Sequence, residues 1–224
     1  MFKNKAIVTL ALLFTFVGAA IGSLTLFKIT TQSEAFLSTS SPRGTYTVRL
    51  TGRKDRPRVP FVNHQVFFSV SRGEKVFLAN KYLHSGDWLD PSFDLWYPEH
   101  KWVSEDILQF YKNEFLSEGQ HESIVVVNKT KETIQYLRVA SVDIFLLFNV
   151  QPGSTTTLTV SAPRGDSSWI DVDGEFPEGR SIKHNGVGFL LSEQKMGPFT
   201  YYVYIDGDTS AIQSPDLKKY KATN

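Results

Sequence analysis

Two hydrophobic patterns divide the chain: one unbroken apolar run at the start, then a series of short segments in which apolar and polar residues alternate. Lys3 and Lys5 precede an uncharged stretch from Ala6 to Phe27, and Lys28 ends it. As a helix that stretch spans about 33 Å, close to the hydrocarbon thickness of a bilayer. A helix packed on a soluble core rarely stays uncharged for so long. Residues 1–30 are therefore expected to form a signal-anchor helix, in contact with the lipid bilayer through residues 6–27, with its lysines on the cytoplasmic side. A cleaved secretory signal is the alternative. Gly18-Ala19-Ala20 offers small residues for cleavage, although Ile21, Leu24, Leu26 and Phe27 prolong the apolar run beyond them. The expected location is the cell membrane, single-pass with the C-terminal domain outside the cytoplasm, or secreted or periplasmic if the signal is cleaved.

After a Ser- and Thr-rich tether over residues 31–41, the period changes to two. Tyr46, Val48 and Leu50 alternate with Thr45, Thr47, Arg49 and Thr51, the pattern of a strand with one buried face. Val66, Phe68 and Val70 repeat it, and Val76 and Leu78 follow a turn at Arg72-Gly73. Ile107 to Tyr111 reads as a strand, although capping residues in Trp102-Val103-Ser104-Glu105-Asp106 would also suit a helix. Ile124 to Val127 is β-branched throughout, which favours pleated chain. A polar turn over Asn128 to Glu132 leads to Thr133–Val139, then to a nearly all-apolar strand over Val142–Val150. Gln151-Pro152-Gly153-Ser154 is a turn, and Thr155–Val160, Trp169–Val172, Ser181–His184, Val187–Leu191 and Thr200–Ile205 complete the set. About twelve strands and no long helix after residue 30 predict an all-β chain of one or two antiparallel β-sandwich units, Ig-like in architecture. The expected division is a first β unit over 42–118, a boundary at Gly119-Gln120-His121, a second over 121–208, and a flexible tail over 209–224.

Composition narrows the chemistry. With 24 Lys and Arg against 23 Asp and Glu there is no polycationic signal for nucleic acid. Removing residues 1–35 takes away three lysines and one glutamate, which turns the net charge of +1 into −1. Cysteine is absent, so disulfides, thiolate metal sites, blue copper and cysteine nucleophiles are excluded together. An exported domain of this kind holds together by packing alone.

Two short segments resemble parts of bacterial β-propeller blades. Ser41-Pro42-Arg43-Gly44-Thr45-Tyr46 is similar to their Ser-Pro-x-Gly-x-Tyr strand openings, and Trp102-Val103-Ser104-Glu105-Asp106-Ile107-Leu108 to the step between blade strands. A single blade-like unit cannot close a ring, so the propeller fold is not expected here.

The densest chemistry lies between Tyr82 and Trp102, where three of the four tryptophans fall. Trp88, Trp96 and Tyr97 alternate there with Asp87, Asp90 and Asp94, and His84 and His100 flank them. Aromatic rings beside carboxylates can stack on sugar faces while accepting hydrogen bonds from hydroxyls, so these eight residues are the expected binding surface for an unknown protein or glycan partner. A loop pinned by its own rings is the competing structural reading. No metal is expected, because Gly86 precedes the acids instead of sitting among them and the five histidines lie far apart. Asp171-Val172-Asp173-Gly174 resembles part of a calcium loop, but Trp169 and Arg180 would then occupy its first and last ligand positions, so it reads as a turn.

No catalytic residue and no cofactor site emerge. There is no Gly-x-Ser-x-Gly elbow or phosphate loop, and Ser192-Glu193-Gln194-Lys195 lacks the companion elements of a Ser-x-x-Lys enzyme. The basic run Arg53-Lys54-Asp55-Arg56-Pro57-Arg58 reads as a solvated hairpin tip, and Asn128-Lys129-Thr130 matches a glycosylation sequon. The function expected is a binding or interaction module of the cell envelope. The alternative is an envelope glycan hydrolase with Asp90, Asp94 or Glu99 as acid and base.

Overall fold

The computed structural model describes residues 34–52, 64–86, 99–111, 122–141, 143–160, 168–184, 188–189 and 200–213. Every regular element among them is a β-strand, and the chain divides into two compact units: residues 1–39 with 47–96, and residues 40–46 with 97–224. No helix among the described residues is long and apolar enough to cross a membrane, and the run from Ala6 to Phe27 lies outside them.

The first unit is built on a four-stranded sheet in the order β1 (Glu34–Ser40), β2 (Thr47–Gly52), β3 (His64–Arg72), β4 (Lys75–Gly86). The alternation read from the sequence sets its buried face, where Val48 pairs with Val70 and Leu50 with Phe68, all fully buried. The β3–β4 turn falls at Arg72-Gly73 as expected, with Gly73 at φ 59°. Asn80 also takes a left-handed backbone (φ 49°), and its N–H donates to Ser69 Oγ at 3.0 Å where the β3–β4 register slips. Glu34–Ser40 falls within the segment read as a tether.

The second unit carries a ladder of ten strands. In chain order these are β5 (Glu99–Ser104), β6 (Ile107–Tyr111), β7 (Glu122–Asn128), β8 (Ile134–Ala140), β9 (Ile144–Val150), β10 (Thr155–Val160), β12 (Asp171–Glu175), β13 (Ser181–His184), β15 (Thr200–Asp206) and β16 (Thr209–Gln213). Two short strands, β11 (Ser168–Trp169) and β14 (Gly188–Phe189), form a separate antiparallel pair. The spatial order is β10-β7-β15-β16-β13-β12-β8-β9-β6-β5. Neighbours are antiparallel except at β7/β15 and β13/β16, which are parallel. The hairpin β5–β6, placed before residue 119 by the sequence division, joins this ladder through β6 and β9, where Leu108 pairs with Leu146 and Phe110 with Ile144. Thr209–Gln213, read as tail, is β16, with Ile212 buried opposite Val203.

One buried cluster draws on both arms of the ladder: Ile124, Val126, Leu158, Tyr201 and Val203 from one, and Leu137, Val139, Phe145, Leu147 and Val172 from the other. Burying each such side chain contributes about 1.5–3 kcal/mol, so this cluster supplies the driving force of the second unit. Gln109 of β6 links the arms, donating to Asp143 Oδ2 at 2.7 Å and, less closely, to Thr159 O of β10 at 3.4 Å. Alternation along β9 would turn Asn149 inward after Phe145 and Leu147. It instead adopts φ 57° and stays exposed, and Val150 enters the core.

Asp171–Gly174 corrects the turn reading: it is strand β12, paired with β8 from Asp171↔Ala140 to Glu175↔Tyr136. Its glycine serves close approach instead of a positive φ. A Cβ on Gly174 would lie 2.6 Å from Tyr136 O and 2.9 Å from Leu137 Cδ1.

Candidate functional site

Strand β15 alternates Tyr201, Val203 and Ile205, all buried, with Tyr202 and Tyr204 on the opposite, outer face. The register extends that outer face across its neighbours. Tyr202 lies between Val125 of β7 and Gln213 of β16, and Tyr204 between Val127 and Ala211. One strand further, Thr157 pairs with Val125 and Thr155 with Val127, and both threonines are exposed. The two tyrosine rings lie nearly parallel, with planes 12° apart and centroids 6.0 Å apart. Each is half-buried. The result is a pair of aromatic rings flanked by hydroxyl, amide and methyl groups on a hydrogen-bonded sheet.

Lys129 brings the charge. Its Nζ lies over the Tyr204 ring, 3.9 Å from the centroid. Its backbone N–H donates to Ile205 O at 2.8 Å, which fixes the start of the side chain beside β15.

The turn that carries Lys129 is held by Asn128, which is fully buried. The Asn128 amide donates to the carbonyls of Glu132, Val150 and Gln151 at 3.1, 3.1 and 3.0 Å. Its Oδ1 accepts from Thr130 N at 3.0 Å and Thr130 Oγ1 at 2.7 Å. The match to a glycosylation sequon thus has a structural cause: threonine two residues after asparagine closes a local side-chain turn. The nitrogen that glycosylation would modify is buried and engaged with three carbonyls. Beside this turn Arg180 donates to both oxygens of Glu132 and to Asp208, and its guanidinium lies 4.2 Å from the Phe176 ring centroid. Hydrogen bonds to Glu132 and then Asp208 hold the Arg180 pKa above its ordinary value.

Two other polar clusters lie in the second unit. Arg138 of β8, only 3% exposed, donates to Asp171 Oδ2 at 2.7 Å and Asp173 Oδ2 at 2.5 Å, and those aspartates are 48% and 37% exposed. Burial, and then Asp173 and Glu175, push the neighbouring Tyr136 phenol well above its usual range. The other cluster surrounds Glu105. Its Oε1 accepts from Ser41 Oγ at 2.6 Å and Thr45 N at 3.1 Å, and its Oε2 from Arg43 N at 2.8 Å. Ser41 Oγ in turn accepts from Tyr46 N at 3.0 Å, and Tyr46 stacks on Phe148 at 5.1 Å. The two segments that resemble propeller-blade pieces therefore meet here. Hydrogen bonds from Ser41, then Thr45, outweigh burial and lower the Glu105 pKa to about 2. A carboxylate so engaged by donors of its own chain is a structural clasp.

Of the residues expected to form a binding surface, Asp87, Trp88, Asp90, Asp94, Trp96 and Tyr97 lie outside the described residues. So does the Arg53–Arg58 run. His84 belongs to β4, where it pairs with Val66, and its side chain also lies outside the description. His100 belongs to β5, with its ring centroid 6.3 Å from that of Phe110. Among the described residues no group of three or more histidine, aspartate or glutamate side chains could hold a metal ion. Tyr202, Tyr204 and Lys129 were not singled out by sequence reasoning. The available signal was Tyr-x-Tyr on the polar phase of a strand whose other phase is Tyr201, Val203 and Ile205. Comparison with family models, curated proteins and solved structures gives no match to this chain.

Proposed function

We propose that this protein is a binding module of the cell envelope, held at the membrane by Ala6–Phe27, whose second unit is a β-sandwich that captures saccharide on the outer face of β7, β10, β15 and β16. The observation that carries this reading is the near-parallel pair Tyr202 and Tyr204, exposed in part on a strand hydrogen-bonded on both sides. The axial C–H faces of a sugar ring pack against aromatic rings, and its hydroxyls need polar partners around the contact. Gln213, Thr155 and Thr157 lie at the register positions that supply them. Strands hold such rings with little entropy left to lose on binding. The sandwich is supported by the single core drawn from both arms of the ladder.

Affinity electrophoresis of the full chain in mild detergent, through native gels containing soluble polysaccharides, tests this function. At least one polysaccharide should retard the protein, and the double variant Tyr202→Ala/Tyr204→Ala should migrate freely while keeping its melting temperature within about 3 °C, as surface changes away from a packed core do. Free migration of the parent chain in every gel, or equal retardation of parent and variant, overturns the reading.

A further inference from the structure

We infer that the saccharide captured by this face is acidic, and that Lys129 is the residue that selects it. The inference rests on the binding reading above and adds the charge of the ligand. Lys129 is exposed, and among the described residues its ammonium forms no ion pair; it lies over Tyr204 instead. Two acids of the neighbouring turns are engaged elsewhere. Glu132 and Asp208 are bound by Arg180. Asp206 follows Tyr204 on the same outer phase of β15, yet the ammonium covers the ring and not the carboxylate. The backbone on either side of Lys129 is locked by the hydrogen bonds of Asn128, Thr130 and Ile205 O, so the cation sits on a fixed base with a flexible stem.

This arrangement discriminates by exchange. A neutral sugar stacking on Tyr204 displaces the ammonium and forfeits a cation–π contact, with nothing to replace it. A sugar that carries a carboxylate or phosphate gives the same ammonium a charge-assisted hydrogen bond in return. The spacing suits a chain of sugars. Thr155 and Tyr204 are two strands apart in one register row, about 10 Å at ordinary inter-strand spacing, a length that two linked sugar rings cover.

The test uses a matched pair: polygalacturonate and the same polymer with its carboxylates chemically reduced, with poly(glycerol phosphate) as an anion that has no sugar ring. With the full chain, polygalacturonate should bind about three- to fivefold more tightly than its reduced form at low salt, the upper range expected for one exposed charge contact. Poly(glycerol phosphate) should bind more weakly than polygalacturonate, because it has no ring to stack. Lys129→Gln should bring the two galactose polymers to within about twofold of each other, whereas Lys129→Arg should keep the preference and Tyr204→Ala should weaken both. Equal binding of the acidic and reduced polymers by the parent chain, or an unchanged ratio in Lys129→Gln, overturns the acidic preference and leaves the saccharide reading standing. Tightest binding to poly(glycerol phosphate) overturns it too, in favour of a bare anion site. Binding of none of the three overturns the acidic preference, and the saccharide reading then stands or falls by the native gels.

Discussion

Replacement of Asn128 should be the most damaging single change of a polar residue in the turn that carries Lys129. Its amide hydrogens are shared among three backbone carbonyls, and its oxygen accepts twice from Thr130. Gln151 O also receives Ser154 N and Oγ, so its loss is partly made good. Glu132 O keeps Thr130 Oγ1 as a donor. The remaining loss falls on Val150 O, at the end of β9, and on Thr130 N, since the single hydroxyl hydrogen of Thr130 can serve Glu132 O. With a net worth of about 0.5–1.5 kcal/mol per hydrogen bond, Asn128→Ala should cost about 1–3 kcal/mol. At about 3 °C per kcal/mol for a chain of this size, the melting temperature falls by roughly 3–9 °C. Asn128→Asp is the sharper probe. It keeps the oxygen that Thr130 needs and places a second oxygen against three carbonyls, so it should destabilise at least as much as alanine near neutral pH. Thermal unfolding followed by near-ultraviolet circular dichroism, checked by urea titration, measures both. An aspartate variant melting within about 2 °C of the parent would show that the amide donors do not hold the turn.

Three further outcomes follow from the same interactions. Glu105 has its pKa lowered from 4.5 to about 2 by Ser41 and Thr45, so its clasp is fully present above pH 4.5 and is lost as pH falls towards 2; the parent's melting temperature should drop more steeply across that window than that of Glu105→Gln, and parallel slopes would refute the clasp. Because Arg138 is the buried member of its cluster, Asp171→Asn/Asp173→Asn should cost about 3 kcal/mol or more by stranding a cation, whereas Arg138→Met, which leaves two half-exposed carboxylates, should cost less; urea midpoints in the reverse order would contradict this. Gly174→Ala should lose about 1–3 kcal/mol to overpacking against Tyr136 O, also read from urea titration, and a neutral result would mean that β8 and β12 can separate freely.

The strands were legible because their side-chain period is local. Ile124 to Val127, Thr155 to Val160 and Thr200 to Ile205 all form where alternation or β-branching placed them. Ile107–Tyr111 is a strand despite the capping residues before it, because Leu108 and Phe110 pair into β9. Pairing between distant strands leaves no local mark. Nothing within Ser123–Asn128 announces that β15 will lie parallel beside it. Asp171–Gly174 was misread because glycine after aspartate usually marks a turn, while here glycine admits a neighbouring backbone. The tyrosine face escaped notice for a related reason. Aromatic density drew attention to residues 82–102, whereas Tyr202 and Tyr204 become a surface only once β7, β10 and β16 are set beside β15.

The parallel pairing of β7 with β15 also bears on the order in which the molecule can be made. Strands β8 to β14 are synthesised between these two partners, so β7 leaves the ribosome with β10 as its only early neighbour. Until Thr200–Asp206 follows, Ile124 and Val126 lack Tyr201, Val203 and Ile205, and one edge of β7 presents unpaired backbone to any strand it meets. Such long-range closure is slow, and the second unit cannot lock before that last partner strand is made. A stop codon placed between Val160 and Thr200 should therefore leave the second unit as an aggregating fragment.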